Sequence, residues 1–302
     1  MRLLQMSISK YLYILHSILV LFIVYVGCVV LLDIYTEKSP ARCVERLVPP
    51  VASVVTMGHG YEASMHESFG FMRYFEPMWE RKKKLHQIQS KKQHGGHGDG
   101  QGRKYFQFNW EPNWSCGYEQ RIGNVGDGGK WVCDAYMIAD APVCNIISIG
   151  SNNEWSFEIS MHELNPRCII HTFDHTITPN SRKPAYVVYY PYGLGASDDK
   201  NIRTMDSILR LTGLTKTTVD VLKIDCEGCE FQVYKEITKG FIRQILIEIH
   251  MRGGVKSTAI DTLFEHMGLN GYVIFHKEPN TYGCSGDCIE YSFVKLNLPS
   301  SN

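Results

Sequence analysis

Between residues 143 and 296 the chain alternates short, β-branched apolar runs with stretches of helical period, which leaves few architectures open to it. The runs are VCNIISIG (143–150), CIIHTFD (168–174), AYVVYYP (185–191), VDVLKID (219–225), RQILIEIH (243–250), GYVIFHK (271–277) and IEYSFVKL (289–296). Each has the length and residue types of a buried strand. Between them, 154–164, 202–212, the segment through Phe231, Val233, Tyr234 and Ile237, and 257–267 carry apolar residues at helical spacing, with Pro166 and Gly213 as stops. This order predicts an α/β fold: a mostly parallel sheet covered by helices on both faces. Such sheets take ligands outside the carboxyl ends of their strands. Chemistry is therefore expected at 150–154, 174–176, 191–196, 225–230 and 248–252.

The N-terminus obeys a different rule. Tyr11–Leu32 reads YLYILHSILVLFIVYVGCVVLL, with His16 and Ser17 as its clearly polar members. At about 1.5 Å per residue a helix of this length reaches roughly 33 Å, enough to cross a bilayer core. No A-x-A-like cleavage site follows, so an uncleaved signal-anchor is expected at 11–32, after a cytoplasmic tail at 1–10. Arg2 and Lys10 precede the span, while Asp33, Glu37 and Lys38 follow it, which places the rest of the chain in the lumen or outside. If the segment is cleaved, the product is secreted. Asn113-Trp114-Ser115 is a glycosylation triplet consistent with that side.

Ten cysteines point the same way. Cys28 falls in the span; the other nine suit a few disulfides with at least one cysteine left over. Cys284 with Cys288 is the best local pair and Cys133 with Cys144 the second. No paired C-x2-C framework for zinc is present, and no metal site is expected.

Residues 33–104 read as a stem. They hold Pro40, Pro49 and Pro50, the basic run Arg81–Lys84, and the tract His94-Gly-Gly-His97-Gly-Asp-Gly100, read as solvated linker rather than a metal site. Within them, 61–86 is aromatic enough to form a helix packed on the body, which is assigned to 105–302. Lys plus Arg total 31 against 31 Asp plus Glu, so nothing global attracts a phosphate backbone and no nucleic-acid partner is expected.

Three strand ends carry candidate chemistry. Gly150, Ser151, Asn152 and Asn153 form a turn into a helix, where peptide N–H groups point at a ligand. Asp174, 24 residues after Gly150, ends the next strand, where a carboxylate is placed to accept both ribose hydroxyls of an adenosine. Asp225, Glu227 and Glu230 crowd the end of the fourth strand, and close carboxylates are costly unless solvated, hydrogen-bonded or paired with a cation. Glu248 and His250, two apart, share one face of the fifth strand.

Leu222–Glu230, LKIDCEGCE, resembles the L-K-I-D-x-E-G-x-E element of the FkbM-type methyltransferases. The turn SIGSNNEWSFE and the stretch Asp127–Cys133 resemble the animal branch of that family related to methyltransferase-like protein twenty-four. The likeness runs over roughly 115–297 and includes Thr204–Ile208. It implies a Rossmann-like, seven-stranded class I methyltransferase sheet with an antiparallel last strand, and S-adenosyl-L-methionine as cofactor. By that resemblance Gly150, Ser151, Asn152 and Asn153 hold the methionine end and Asp174 the ribose, while Asp225 and Glu227 line the floor toward the acceptor. The chain departs from the pattern in lacking a second glycine in the turn. It also departs at Cys226 and Cys229, read as small-residue substitutions rather than a disulfide.

The function expected is a membrane-anchored methyltransferase acting on a hydroxyl of a carbohydrate or glycolipid, with the acceptor itself unidentified. His250 or Asp225 is the expected base, and Glu248 is expected to orient the histidine. A Golgi-type glycosyltransferase shares the anchor, stem and α/β body, but Asp225-Cys-Glu227 only imitates its D-x-D metal motif. A tethered binding module that kept the fold without catalysis is the other alternative.

Overall fold

The computed structural model describes residues 67–68, 72–73, 76–93, 103–251, 254–281, 284 and 288–296. By contacts the chain divides into Met1–Tyr61 and Glu62–Asn302, and every described residue belongs to the second unit. The expected anchor at 11–32 and the tail at 1–10 lie outside the described residues. Among the described residues no helix is long and apolar enough to cross a membrane.

Seven strands form the central sheet: β1 (Cys144–Ile149), β2 (Cys168–Phe173), β3 (Val187–Tyr190), β4 (Val219–Ile224), β5 (Ile242–His250), β6 (Tyr272–Asn280) and β7 (Cys288–Lys295). Their order is β6-β7-β5-β4-β1-β2-β3. β7 runs antiparallel to both neighbours, and the other pairings are parallel. The chain runs outward from β1 to β3, then returns to place β4 on the other side of β1. That reversal opens a crevice between the carboxyl ends of β1 and β4.

β1 and β4 are buried along their whole length, as their continuous apolar runs require. Side chains alternate between two cores. Ile147, Ile149, Leu222 and Ile224 join one with Met205, Ile208, Ile260 and Phe264. Ile146, Val221 and Leu246 join the other with Phe157, Met161 and Val132. Full burial of each such side chain contributes about 1.5–3 kcal/mol.

Among the described residues the helices are α1 (Glu76–Ser90), α2 (Arg103–Phe108), α3 (Ala135–Ala139), α4 (Ser156–Leu164), α5 (Met205–Thr212), α6 (Glu230–Val233) and α7 (Ser257–Leu269). The helix expected over 61–86 is α1, starting later, and Trp79 on it is buried edge-on against Trp114, 5.7 Å between ring centres. The helix expected from Ile202 starts at Met205 because Ile202–Arg203 instead pairs with Gly193–Leu194. Thr204 then caps it, its hydroxyl accepting from Ser207 N, and Gly213 closes it in the left-handed region.

A hairpin of Glu119–Ile122 and Lys130–Cys133 packs on the sheet, with Ile122 and Val132 in the second core. Gln244 on β5 fixes it there. Its Oε1 accepts from Cys133 N and its Nε2 donates to Cys133 O, both at 2.9 Å. Asn113 is likewise turned into the body. Its Oδ1 accepts from Ile274 N at 2.9 Å and its amide nitrogen reaches Ser90, so the glycosylation triplet lends no support to a compartment.

Among the described residues four disulfides are formed: Cys116–Cys133, Cys144–Cys168, Cys226–Cys229 and Cys284–Cys288. Only the last was expected. Cys133 does not pair with Cys144, because Cys144 and Cys168 open adjacent strands as direct register partners. Cys226 and Cys229 are bonded rather than mere small residues, since the turn after β4 folds them together within three positions.

Candidate active site

Gly150 ties three strand ends together. Its N–H donates to Phe173 O at 2.8 Å, while Asp225 N donates to Ile149 O at 2.9 Å. Lys223 Nζ, from inside β4, donates to Gly150 O at 2.7 Å. The backbone at Gly150 is left-handed (φ 79°), and so are Asn152 (46°) and Asn153 (62°) beyond it. Asparagine tolerates that region better than most residues, which lets the turn do with one glycine.

Asp174 completes the turn. Its Oδ2 accepts from Ser151 N and Asn152 N, each at 2.9 Å, and its Oδ1 from Thr176 N and Oγ1 at 2.9 and 2.7 Å. Those four donors fill the carboxylate's ordinary acceptor positions. Burial alone would raise its pKa, but the Thr176, Ser151 and Asn152 hydrogen bonds hold it below the usual carboxylate value. The two halves of the expected donor site, turn amides and strand-end acid, are thus bonded to each other.

A cavity of about 760 Å³ opens over these strand ends. Eight of the nine candidate residues line it: Gly150, Ser151, Asn152, Asp174, Asp225, Glu227, Glu248 and His250. The ninth, Asn153, faces away and bonds Thr178 O and Asn180 N. Phe173, Leu194 and Ile202 give the cavity an apolar wall.

The opposite wall is ionic. His250 is 1% exposed, and its Nδ1 lies 2.9 Å from Oε1 of the fully buried Glu230. Glu230, not Glu248, therefore orients the histidine. The first turn of α6 brings Glu230 back beneath the end of β5, whereas Glu248 lies one residue pair lower and accepts from Asn280 Nδ2 at 2.9 Å. His250 Nε2 points between Glu227 Oε2 at 3.4 Å and Asp225 Oδ1 at 3.9 Å.

Beneath them sits Lys130, delivered by the hairpin and 2% exposed. Its Nζ bonds Glu290 and lies 3.7 Å from both Asp225 and Glu248. Burial alone would lower the Lys130 pKa, but Glu290, Asp225 and Glu248 more than reverse that. Burial would raise Asp225, yet Lys130, Lys223 and His250 hold it below its ordinary value. Glu248 goes the other way: burial, with Glu290 and Asp225 close by, pushes it up to about 8. Burial would lower His250, but the hydrogen bond to Glu230 and the surrounding carboxylates raise it. The outcome is an ionised Asp225 beside a histidine with raised proton affinity, both facing the cavity.

Residues 62–295 match the sequence family described as Methyltransferase domain. The chain belongs to that methyltransferase-domain family. No curated protein sequence matches it significantly. Solved structures with a similar course of chain include the Methanococcus jannaschii fibrillarin pre-rRNA processing protein, at 10% identity and TM-score 0.38, covering 59% of this chain and 83% of that one. Another is the Burkholderia thailandensis 1,6-didemethyltoxoflavin-N1-methyltransferase with bound S-adenosylhomocysteine, at 10% identity and TM-score 0.33, covering 54% and 79%. These likenesses carry nothing about the substrate of this methyltransferase domain.

A nucleoside-bearing cofactor fits the cavity in volume and in its apolar wall. At Gly150 the strand ends approach so closely that no side chain fits. Seating the ribose and methionine ends would require the turn amides and Asp174 to exchange each other for ligand groups. Three residues of the site were missed from sequence, and so was the role of a fourth. Glu230 stood among the candidate carboxylates after β4, but its pairing with His250 was not anticipated. Lys130 lies 95 positions before Asp225, and Glu290 and Asn280 come from β7 and β6, so only the folded sheet brings them together.

Proposed function

We propose that this protein is a membrane-anchored, S-adenosylmethionine-dependent methyltransferase that O-methylates a hydroxyl of a carbohydrate or glycolipid. It would be held by residues 11–32 with its body in the Golgi or endoplasmic reticulum lumen or at the cell surface. The observation that carries the reading is the single cavity, in a methyltransferase-domain chain, that joins the Gly150 turn to Asp225 and the Glu230-held His250. LKIDCEGCE supports the FkbM type, and four disulfides support an oxidising compartment. The zero charge balance supports an acceptor other than nucleic acid.

S-adenosylmethionine supplies, when bound, a methyl group on a sulfonium whose S–C electron pair stays with sulfur as the new C–O bond forms. The chain's part is alignment and proton handling. Gly150 and the turn would hold the donor end, and Phe173, Leu194 and Ile202 would offer its base an apolar surface. The acceptor hydroxyl enters between Asp225 and Glu227 and gives its proton to His250 Nε2, the nitrogen left facing the cavity because Glu230 holds the other. Asp174's filled carboxylate favours the second reading, a binding module without catalysis.

The test is transfer of tritiated methyl from S-adenosylmethionine to glycan and glycolipid fractions by the full-length protein. Label stable to mild base, as an ether is, and lost in His250→Ala is the expected result. Label that alkali releases, or turnover unchanged in His250→Ala, would contradict the reading.

A further inference from the structure

We infer that Asp225, Glu227 and His250 bind one divalent first-row metal ion, which holds the acceptor hydroxyl. The inference rests on the reading of the cavity given above and changes one step of it.

Three potential ligand atoms, one from each residue, all lie within 4.8 Å of one another. His250 Nε2 stands 3.4 Å from Glu227 Oε2 and 3.9 Å from Asp225 Oδ1, and it makes no hydrogen bond among the described residues. Ligands around an ion with bonds of about 2.0–2.2 Å stand roughly 3 to 4.2 Å apart, so these separations suit a shared ion better than direct pairing.

A second observation is independent of those carboxylates. His250 is 1% exposed, and its far nitrogen is held at 2.9 Å by Glu230, which is itself fully buried. A carboxylate gripping one imidazole nitrogen while the other points into an anionic pocket is the arrangement that fixes a metal-binding histidine. Imidazole with two carboxylates suits Mn²⁺, Fe²⁺ or Zn²⁺ better than Ca²⁺. The neighbouring group of Glu248, His250, Cys284 and Cys288 is no rival, since its two sulfurs are bonded to each other.

With an ion in place His250 Nε2 is a ligand and not the base. An acceptor hydroxyl bound to the ion is acidified and releases its proton to water, leaving the oxygen to take the methyl group.

The experiment uses the full-length protein, stripped of metal by a chelator and titrated with Mn²⁺ while free ion is followed by electron paramagnetic resonance. One saturable Mn²⁺ per chain is expected, lost in His250→Ala and at least tenfold weaker in Glu227→Gln. The Glu227 side chain is 64% exposed, so that second variant should fold even if the first does not. Absence of saturable binding by folded wild type, or full affinity in Glu227→Gln, would overturn the inference. S-adenosylmethionine binding is measured on the same metal-free sample. Donor binding without Mn²⁺ binding defeats the metal site and leaves the proposed function standing. Mn²⁺ binding without donor binding upholds the site and defeats the methyltransferase reading.

Discussion

At Gly150 an added methyl group would meet the Asp225 carbonyl oxygen at 1.8 Å, and the backbone there is already left-handed. Gly150→Ala is expected to cost about 3 kcal/mol or more, because main chain rather than a flexible side chain must move. Urea unfolding checks this, and an unchanged midpoint would show that the strand ends are looser than described. Asp174 makes a prediction of opposite character. Its folded pKa lies below the unfolded value, so the stability it contributes is present above that unfolded value, near 3.8, and is lost as pH falls through the folded one. The stability difference between wild type and Asp174→Asn should therefore be full at neutral pH and shrink only in strong acid. A difference that vanished already at pH 6 would mean that the four hydrogen bonds do not hold the carboxylate.

Among the elements, the hairpin of 119–133 is the one whose removal most changes the site. It carries Lys130 into a place where Glu290, Glu248 and Asp225 would otherwise face one another in a buried setting. Lys130→Met removes the shared cation and is expected to destabilise by about 3–5 kcal/mol, because buried Glu290 loses its directly bonded ammonium. Denaturant midpoints measure it; a variant as stable as wild type would show that those groups protonate without cost. The central parallel strands β1, β4 and β5 were legible because strands buried on both faces need continuous apolar runs. The beginning of α5 was not. Ile202 fits helical spacing but is taken by a two-residue pairing with Gly193, which no local pattern announces.

For the whole molecule, the sheet and the neighbourhood of the site could be read from sequence, but the partners within it could not. Strand-end position brought eight of nine candidate residues to one cavity, since in a sheet of this kind those ends share one edge. It did not distinguish Glu230 from Glu248 as the partner of His250, because that choice depends on how tightly the chain turns after β4. Nor did it anticipate Cys144–Cys168, a pairing fixed by the register of adjacent strands. The central claim is that the cavity over β1, β4 and β5 seats a methyl donor. Calorimetry of S-adenosylmethionine with the full-length protein, alongside Asp174→Ala, tests it most directly. Micromolar binding that the substitution abolishes is the result this account predicts. A folded wild-type protein that takes up no donor, or a variant that binds it as well as wild type, would contradict it.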